Sequence, residues 1–313
     1  MWTDNALMRA AGVPDQEFPA GALYVVGLPI GNMGDITLRG LWVLSHADVV
    51  AAEDTRETRK LLEKFGITAK LLSVREHNER HGADQIMTFL REGKRVALVT
   101  DAGTPAVSDP GARAVDAVLS SGFRVVPVPG ASAVVTALSA AGLSGEGFSF
   151  VGFVPPKPRA RREALGYWAR RREPFVLYEA PHRVLDLLKD LSDALEPGRR
   201  VVVARELTKR FESLVRMRAD ALPQWAEGHS PRGEYVILVD AAQSREEALT
   251  DEGARWMEAL EGEMPASRLA AAAARATGIP RRVLYERLQN RAVRAPDEEG
   301  EAPSGSGPEE TGL

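Results

Sequence analysis

The sequence predicts an α/β protein with a parallel sheet in its first region, a second α/β region, and a small helical segment towards the C-terminal end. Three observations predict it. Short uninterrupted apolar runs recur along the chain, stretches with helical spacing of apolar residues separate them, and loops rich in glycine and proline mark the junctions.

Residues 1–20 read as a loose leader. Ala22-Leu23-Tyr24-Val25-Val26-Gly27 then has the continuous apolar character of a strand buried on both faces. Similar runs follow at Ala47–Ala51, Arg95–Thr100 and Arg124–Val128, and helix-period stretches lie at Thr37–Ser45, Thr58–Phe65, Ala83–Arg91 and Ala112–Ser120. Buried strands that alternate with helices imply right-handed βαβ units and a parallel sheet. Ala131–Ala141 reads as a helix of small residues, and the three glycines between Gly142 and Gly147 as a linker. A second alternation has strands at Phe148–Val154, Phe175–Tyr178, Arg200–Ala204 and Glu234–Val239, and helices at Arg161–Arg171, Arg183–Leu195 and Asp220–Glu227. Further on, Ala266–Thr277 is a strong helix former, Gly278-Ile279-Pro280 breaks it, and Arg281–Gln289 restarts it. That outline suits a helix-turn-helix or a plain helical hairpin. The expected domains are thus 21–145, 146–242 and a helical segment 243–292, with an acidic, disordered tail at 293–313.

Composition narrows the function classes. The chain has 313 residues, 44% hydrophobic and 27% charged, which is enough to bury a core. Cysteine is absent, so disulfides, thiolate metal sites and cysteine nucleophiles are excluded, in keeping with a cytoplasmic protein. No run of apolar residues reaches the length of a membrane span, and the first residues lack the basic and apolar segments of a signal peptide. The net charge is −4, yet Lys157–Arg218 holds 16 Lys/Arg against 9 Asp/Glu. A basic middle inside an acidic chain keeps polyanion binding open.

Four segments at strand ends carry the chemistry. Gly27-Leu28-Pro29-Ile30-Gly31-Asn32 is either a tight βα turn or a ligand loop; it is neither G-x-G-x-x-G nor a Walker loop. In Ala52-Glu53-Asp54-Thr55-Arg56-Glu57-Thr58, Asp54 or Thr55 can cap the next helix, while Glu53 and Arg56 fit an ion pair or a polar site equally well. Thr100-Asp101-Ala102-Gly103-Thr104-Pro105-Ala106-Val107-Ser108-Asp109-Pro110-Gly111 is too long and too polar for a minimal turn. Pro129-Gly130-Ala131-Ser132-Ala133 leaves room for something flat against the backbone. Together these loops describe a cleft. His77 and His81 stand four apart, but no third ligand accompanies them, so no metal is expected.

Pro29-Ile30-Gly31-Asn32, Glu53-Asp54-Thr55-Arg56, the Asp101–Gly111 loop and Ala204-Arg205-Glu206-Leu207-Thr208-Lys209 together resemble the branch of the tetrapyrrole methylase superfamily that methylates small-subunit ribosomal RNA. The resemblance runs from about Gly21 to Asp240 and more loosely to Asn290. It implies a class III S-adenosylmethionine-dependent methyltransferase of two α/β domains, working as a homodimer, that 2′-O-methylates a cytidine in the decoding region of 16S ribosomal RNA. The wider superfamily usually has Gly-Pro-Gly where this chain has Pro29-Ile30-Gly31, and Gly-Gly-Asp-Pro where it has Ala102-Gly103-Thr104-Pro105; both departures match the RNA-methylating branch. By motif position, the resemblance places cofactor contacts on Pro29, Ile30, Gly31, Asp101, Ala102, Gly103, Thr104, Val107, Ser132, Ala133, Glu179 and Leu207.

For the acceptor, Glu53, Asp54, Arg56, Glu206 and Lys209 are the candidates, with a carboxylate among them as base and the two cations as phosphate ligands, or else all as mutual salt bridges. Lys157, Arg159, Arg161 and Arg162 are the candidate RNA contacts, against the alternative of a solvated helix face. A same-fold methyltransferase acting on a tetrapyrrole or protein side chain, a phosphate-ester hydrolase, and a non-catalytic RNA-binding assembly factor are the competing readings.

Overall fold

The structure is a computed structural model that describes residues 6–143, 147–242, 251–279 and 281–292. The expected acidic tail, part of the glycine linker and residues 243–250 lie outside the described residues. The chain divides into two compact units, 1–242 and 243–313.

The first unit holds two five-stranded sheets. In the first sheet, β1 (Ala22–Val26), β2 (Val49–Ala52), β3 (Lys70–Ser73), β4 (Val96–Val99) and β5 (Arg124–Val128) lie in the order β3-β2-β4-β1-β5, all parallel. The period-two alternation of a strand sends its side chains to two cores. Tyr24, Val26, Val50, Ala52, Ala97 and Val99 face one core with α2 (Leu38–His46) and α3 (Thr55–Lys64). Leu23, Val49, Ala51, Val96 and Leu98 face the other with α4 (Glu79–Arg91) and α5 (Ala112–Ser120). Because both faces are covered, these strands read in the sequence as continuous apolar runs.

The second sheet, β6 (Ser149–Phe153), β7 (Phe175–Glu179), β8 (Arg200–Arg205), β9 (Ser213–Arg218) and β10 (Tyr235–Val239), has the order β6-β7-β10-β8-β9. Only β6 and β7 run parallel; the other pairs are antiparallel. One face packs on α7 (Pro158–Ala169), α8 (Pro181–Ala194) and α9 (Leu222–Glu227) through Phe175, Leu177, Val201, Val203 and Ile237. The other face carries α6 (Ala133–Ala141), whose Val134, Ala137 and Ala141 sit against Val176, Val202, Ala204, Val236 and Leu238. So α6, which follows the last strand of the first sheet, belongs to the core of the second. Its small residues let it approach the strands closely.

Several elements differ from expectation. The leader is packed: α1 (Ala6–Ala10) and the turn after it bury Met8 and Val13 in the first core, and the Tyr24 hydroxyl donates to the Pro19 carbonyl at 2.8 Å. The strands β3 and β9 have no counterpart in the apolar-run reading. Both are edge strands bearing lysine or arginine, a common way to blunt an open edge. Helices α7 and α8 begin earlier than expected, each with a proline in its first turn, where a missing N–H costs nothing.

The second unit contains α10 (Asp251–Leu260), α11 (Ala266–Thr277) and α12 (Arg281–Ala292). Met257, Leu269, Ala270, Ile279, Leu284 and Leu288 form its own small core. Gly278, at φ 72°, ends α11 in the left-handed conformation that glycine adopts without penalty.

Candidate active site

The connections leaving β1 and β4 part company: α2 covers one face of the sheet and α5 the other. Open α/β sheets bind ligands in the crevice that this divergence leaves at the carboxyl ends of the strands. Here the loop after β1 and the loop after β4 are stitched together by Leu28 and Gly103, whose N–H groups donate reciprocally to each other's carbonyls at 2.8 and 3.1 Å. The loop after β5 closes in from the other side. Gly27 and Gly130 touch backbone to backbone, and a Cβ on Gly130 would lie 2.5 Å from the Gly27 carbonyl oxygen. No side chain fits at either position.

The resulting cleft has a volume of about 480 Å³. Ala102, Gly103, Thr104, Ser132 and Ala133 give it a floor of small residues, while Leu207, Tyr235 and Val236 supply an apolar wall. Four described non-glycine residues have positive φ: Ala106 (68°), Ser108 (62°), Glu206 (52°) and Thr208 (67°). All four lie in the loops after β4 and β8, which border the cleft. Each costs on the order of 1–3 kcal/mol, and such strain collects at working sites.

Charge in the cleft has one sign. Glu53, Asp101, Asp109, Glu179 and Glu234 line it, and neither lysine nor arginine does. Desolvation raises the Glu53 carboxyl above its ordinary range, and repulsion from Asp101 adds to this. Desolvation, followed by repulsion from Glu53 and Asp101, pushes Asp109 up to about 6, although its side chain still meets the solvent that fills the cleft. Tyr178 is pushed up to about 12, chiefly by desolvation, so its hydroxyl stays protonated. Glu179 is fully buried and meets Arg183 at 3.1 Å.

Known proteins agree with this geometry. The family model described as Tetrapyrrole (Corrin/Porphyrin) Methylases matches residues 22–223. The chain belongs to the tetrapyrrole methylase family. A second model, the RsmI C-terminal HTH domain, matches residues 247–292 of this methylase. Ribosomal RNA small subunit methyltransferase I of Neisseria meningitidis serogroup B is 48% identical over 85% of this chain and 92% of its own, and its counterpart in Escherichia coli O157:H7 is 42% identical over 85% and 94%. Among solved structures, a cobalt precorrin-4 methyltransferase aligns over 72% of this chain and 98% of its own with a TM-score of 0.54 and 24% identity. A uroporphyrin-III C-methyltransferase from Thermus thermophilus, in complex with S-adenosylhomocysteine, aligns over 70% and 97% with a TM-score of 0.51 and 20% identity. Those structures share the fold, and the close relatives identify a methyltransferase.

In the methylase, the sequence-derived cofactor positions Ile30, Asp101, Ala102, Gly103, Thr104, Val107, Ser132, Ala133, Glu179 and Leu207 all line the cleft. Pro29 and Gly31 do not. Gly31, at φ 147°, instead receives the Lys209 side chain, whose Cγ would be 2.5 Å from an added Cβ. Of the acceptor candidates only Glu53 faces the cleft.

Asp54 and Glu206, both candidate bases, lie outside the cleft lining and already have partners. Asp54 caps α3 and accepts from Arg56 at 2.7 Å, and this contact holds its carboxyl well below the usual range. Glu206 accepts from Lys209 at 2.8 Å and from the Glu234 N–H at 3.0 Å, and its carboxyl is likewise lowered, chiefly by the lysine. Desolvation works against the charge on Lys209, but its bonds to Glu206 and Glu234 outweigh that and raise its pKa. Arg56 and Lys209 are therefore ion-pair partners first.

Among the basic candidates, Lys157, Arg159 and Arg162 are exposed around the start of α7. Arg161 is not. It is 4% exposed and bonds Asp190 at 2.6 Å, which removes it from the RNA-contact set. His77 falls in a 3₁₀ turn ahead of α4, so it does not share a helix with His81.

Sequence reading missed Ser108, Asp109, Phe153, Tyr178, Ala180, Pro181, Glu234, Tyr235 and Val236 as lining residues. Ser108 and Asp109 sat inside a loop already singled out. The others come from second-sheet strand ends, where no glycine motif advertises a site.

Proposed function

We propose that this methyltransferase moves the methyl group of S-adenosylmethionine to the 2′-hydroxyl of a cytidine ribose in the decoding region of 16S ribosomal RNA, as a cytoplasmic homodimer. The observation that carries the donor is the charge of the cleft: five carboxylates and no lysine or arginine line it. Such a lining favours a cationic ligand and opposes a phosphate. When bound, S-adenosylmethionine supplies a methyl carbon on a positively charged sulfur, an electrophile with its own leaving group. The cleft's volume of about 480 Å³ lies within the roughly 300–1,000 Å³ common for small-ligand sites.

The chain's own residues do the rest. Ala102, Gly103, Thr104, Ser132 and Ala133 offer a small-residue lining beside Ile30, and the strained loops after β4 and β8 border it. A ribose hydroxyl is a weak nucleophile, so holding its oxygen in line with the methyl carbon is the main catalytic task. The RNA acceptor is supported by the names of the close relatives and by the exposed Lys157, Arg159 and Arg162, which offer the phosphates a place outside the acidic cleft.

The test is transfer from labelled S-adenosylmethionine to small subunits from cells that lack this gene, with primer extension at low nucleotide concentration. One new stop in the decoding region is expected. Cofactor binding without label in the RNA would move the acceptor to a tetrapyrrole or a protein. Absence of cofactor binding would reject the donor.

A further inference from the structure

We propose that Asp109 accepts the proton of the acceptor ribose hydroxyl, presented to the cleft by a strained and anchored loop. The proposal rests on the reading of the cleft as a 2′-O-methylation site. Three of the other acids on the cleft wall have a partner that stabilises their charge. Glu179 meets Arg183 at 3.1 Å, and Glu234 meets Lys209 at 2.7 Å. Asp101 accepts the Asp54 N–H at 3.0 Å, whereas Glu53, like Asp109, is raised chiefly by desolvation. Asp109 forms no ion pair among the described residues. The titratable groups that face it are Glu53 on the loop after β2, Asp101 at the end of β4, and Tyr178 on β7.

Its placement is built in. Ser108 and Ala106, one and three residues before it, hold positive φ, which turns the backbone sharply without glycine. The loop is tied down on both sides: the Ala106 N–H donates to the Pro110 carbonyl at 3.3 Å, and the buried Glu79 accepts the N–H groups of Gly111 and Arg113, each at 2.9 Å. An anchored, strained loop that carries an unpaired carboxylate into a ligand cleft fits a working group better than a structural one. With its carboxyl pushed up to about 6, Asp109 is ionised at neutral pH yet takes a proton more readily than an ordinary aspartate. In the step, the ribose oxygen bonds to the methyl carbon as the carbon–sulfur bond breaks and its electron pair stays on sulfur. The hydroxyl proton passes to an Asp109 carboxylate oxygen and then to water.

The deciding variant is Asp109→Asn, assayed in the full-length protein with small subunits. Its affinity for S-adenosylhomocysteine, measured by calorimetry, should stay within about threefold, while single-turnover transfer falls by roughly 10²–10⁴-fold. The wild-type rate should rise with pH and level off above about 6, and Glu53→Gln should move that inflection to lower pH because a repelling charge is gone. Two readouts do not depend on turnover. Carbon-13 NMR of the protein alone should show an aspartate carboxyl that titrates near 6 and is missing in Asp109→Asn. The variant should also melt higher than wild type at pH 8, since a raised carboxyl destabilises the fold once it is ionised. Wild-type transfer rates in Asp109→Asn with an unchanged pH profile would overturn the proposal and leave the ribose methylation standing. A wild-type enzyme that methylates no ribose would overturn both. If Asp109→Asn fails to fold, the Glu53→Gln inflection decides: no shift overturns the proposal.

Discussion

The cleft and the start of α7 solve opposite electrostatic problems with the same residue types. In the cleft, carboxylates gather without lysine or arginine among the lining residues, and two of them are raised by desolvation and mutual repulsion. Around α7, arginines gather, but one of them is buried against Asp190 and the others stand in water. The contrast teaches that local charge counts mislead unless each charge is placed. The excess of Lys/Arg in 157–218 includes Arg161 and Arg199, both buried and committed to internal partners. A handful of acids sets the charge of the cleft because no lysine or arginine lines it, even though Glu179 and Glu234 have cationic partners behind the wall.

Reversing one charge in the cleft gives the largest expected effect. Asp101→Lys should weaken S-adenosylmethionine binding by roughly 100-fold in calorimetry, since a like charge placed against a ligand cation costs several kcal/mol. S-adenosylhomocysteine, whose sulfur is neutral, should lose much less. Equal losses for the two ligands would show that shape, not charge, governs the cleft.

The buried cation comes next. Arg161→Leu leaves Asp190 without its nearest partner in a buried setting and should lower stability by about 3–5 kcal/mol in denaturant titration. Cofactor affinity should not change. Replacing the exposed pair, Arg159→Gln with Arg162→Gln, should leave stability nearly unchanged. It should reduce the slope of log affinity for RNA against log salt by about 0.7 per lost phosphate contact. If Arg161→Leu changed the salt slope as much as the exposed pair did, the division between buried and RNA-facing arginines would fail.

The smallest effect is expected at Asp54→Ala. The folded protein lowers this carboxyl, so its contribution is present above the ordinary carboxylate range and is lost as pH falls through and below it. The variant should melt slightly lower at pH 7, converge with wild type in acid, and keep its methyl transfer.

Legibility in the sequence followed burial. The three central strands of the parallel sheet were plain because both faces are covered, which makes runs such as Val49–Ala52 and Val96–Val99 wholly apolar. The edge strands Lys70–Ser73 and Ser213–Arg218 escaped because charge on an open edge breaks that pattern. Within the site, the small-residue loops were visible as motifs, whereas Tyr178, Tyr235 and Val236 reach the cleft as ordinary strand residues. Asp54, Arg56, Glu206 and Lys209 were found as a polar set, but spacing alone could not say that they satisfy one another. Glu79 left no signal at all: its partners, Gly111 and Arg113, lie more than thirty residues away.

The position of α6 bears on how the chain is made. The helix ends at Ala141, but the strand it covers most closely, Tyr235–Val239, is also the one that joins β7 to β8. On the ribosome, synthesis at roughly 5–20 residues per second leaves about 5–20 seconds between the two. Throughout that interval the apolar side of α6 lacks the strand that joins β7 and β8 into one surface beneath it. The newborn first half is therefore a natural client for a chaperone, and a ribosome paused late in the second half would hold it in its most aggregation-prone form.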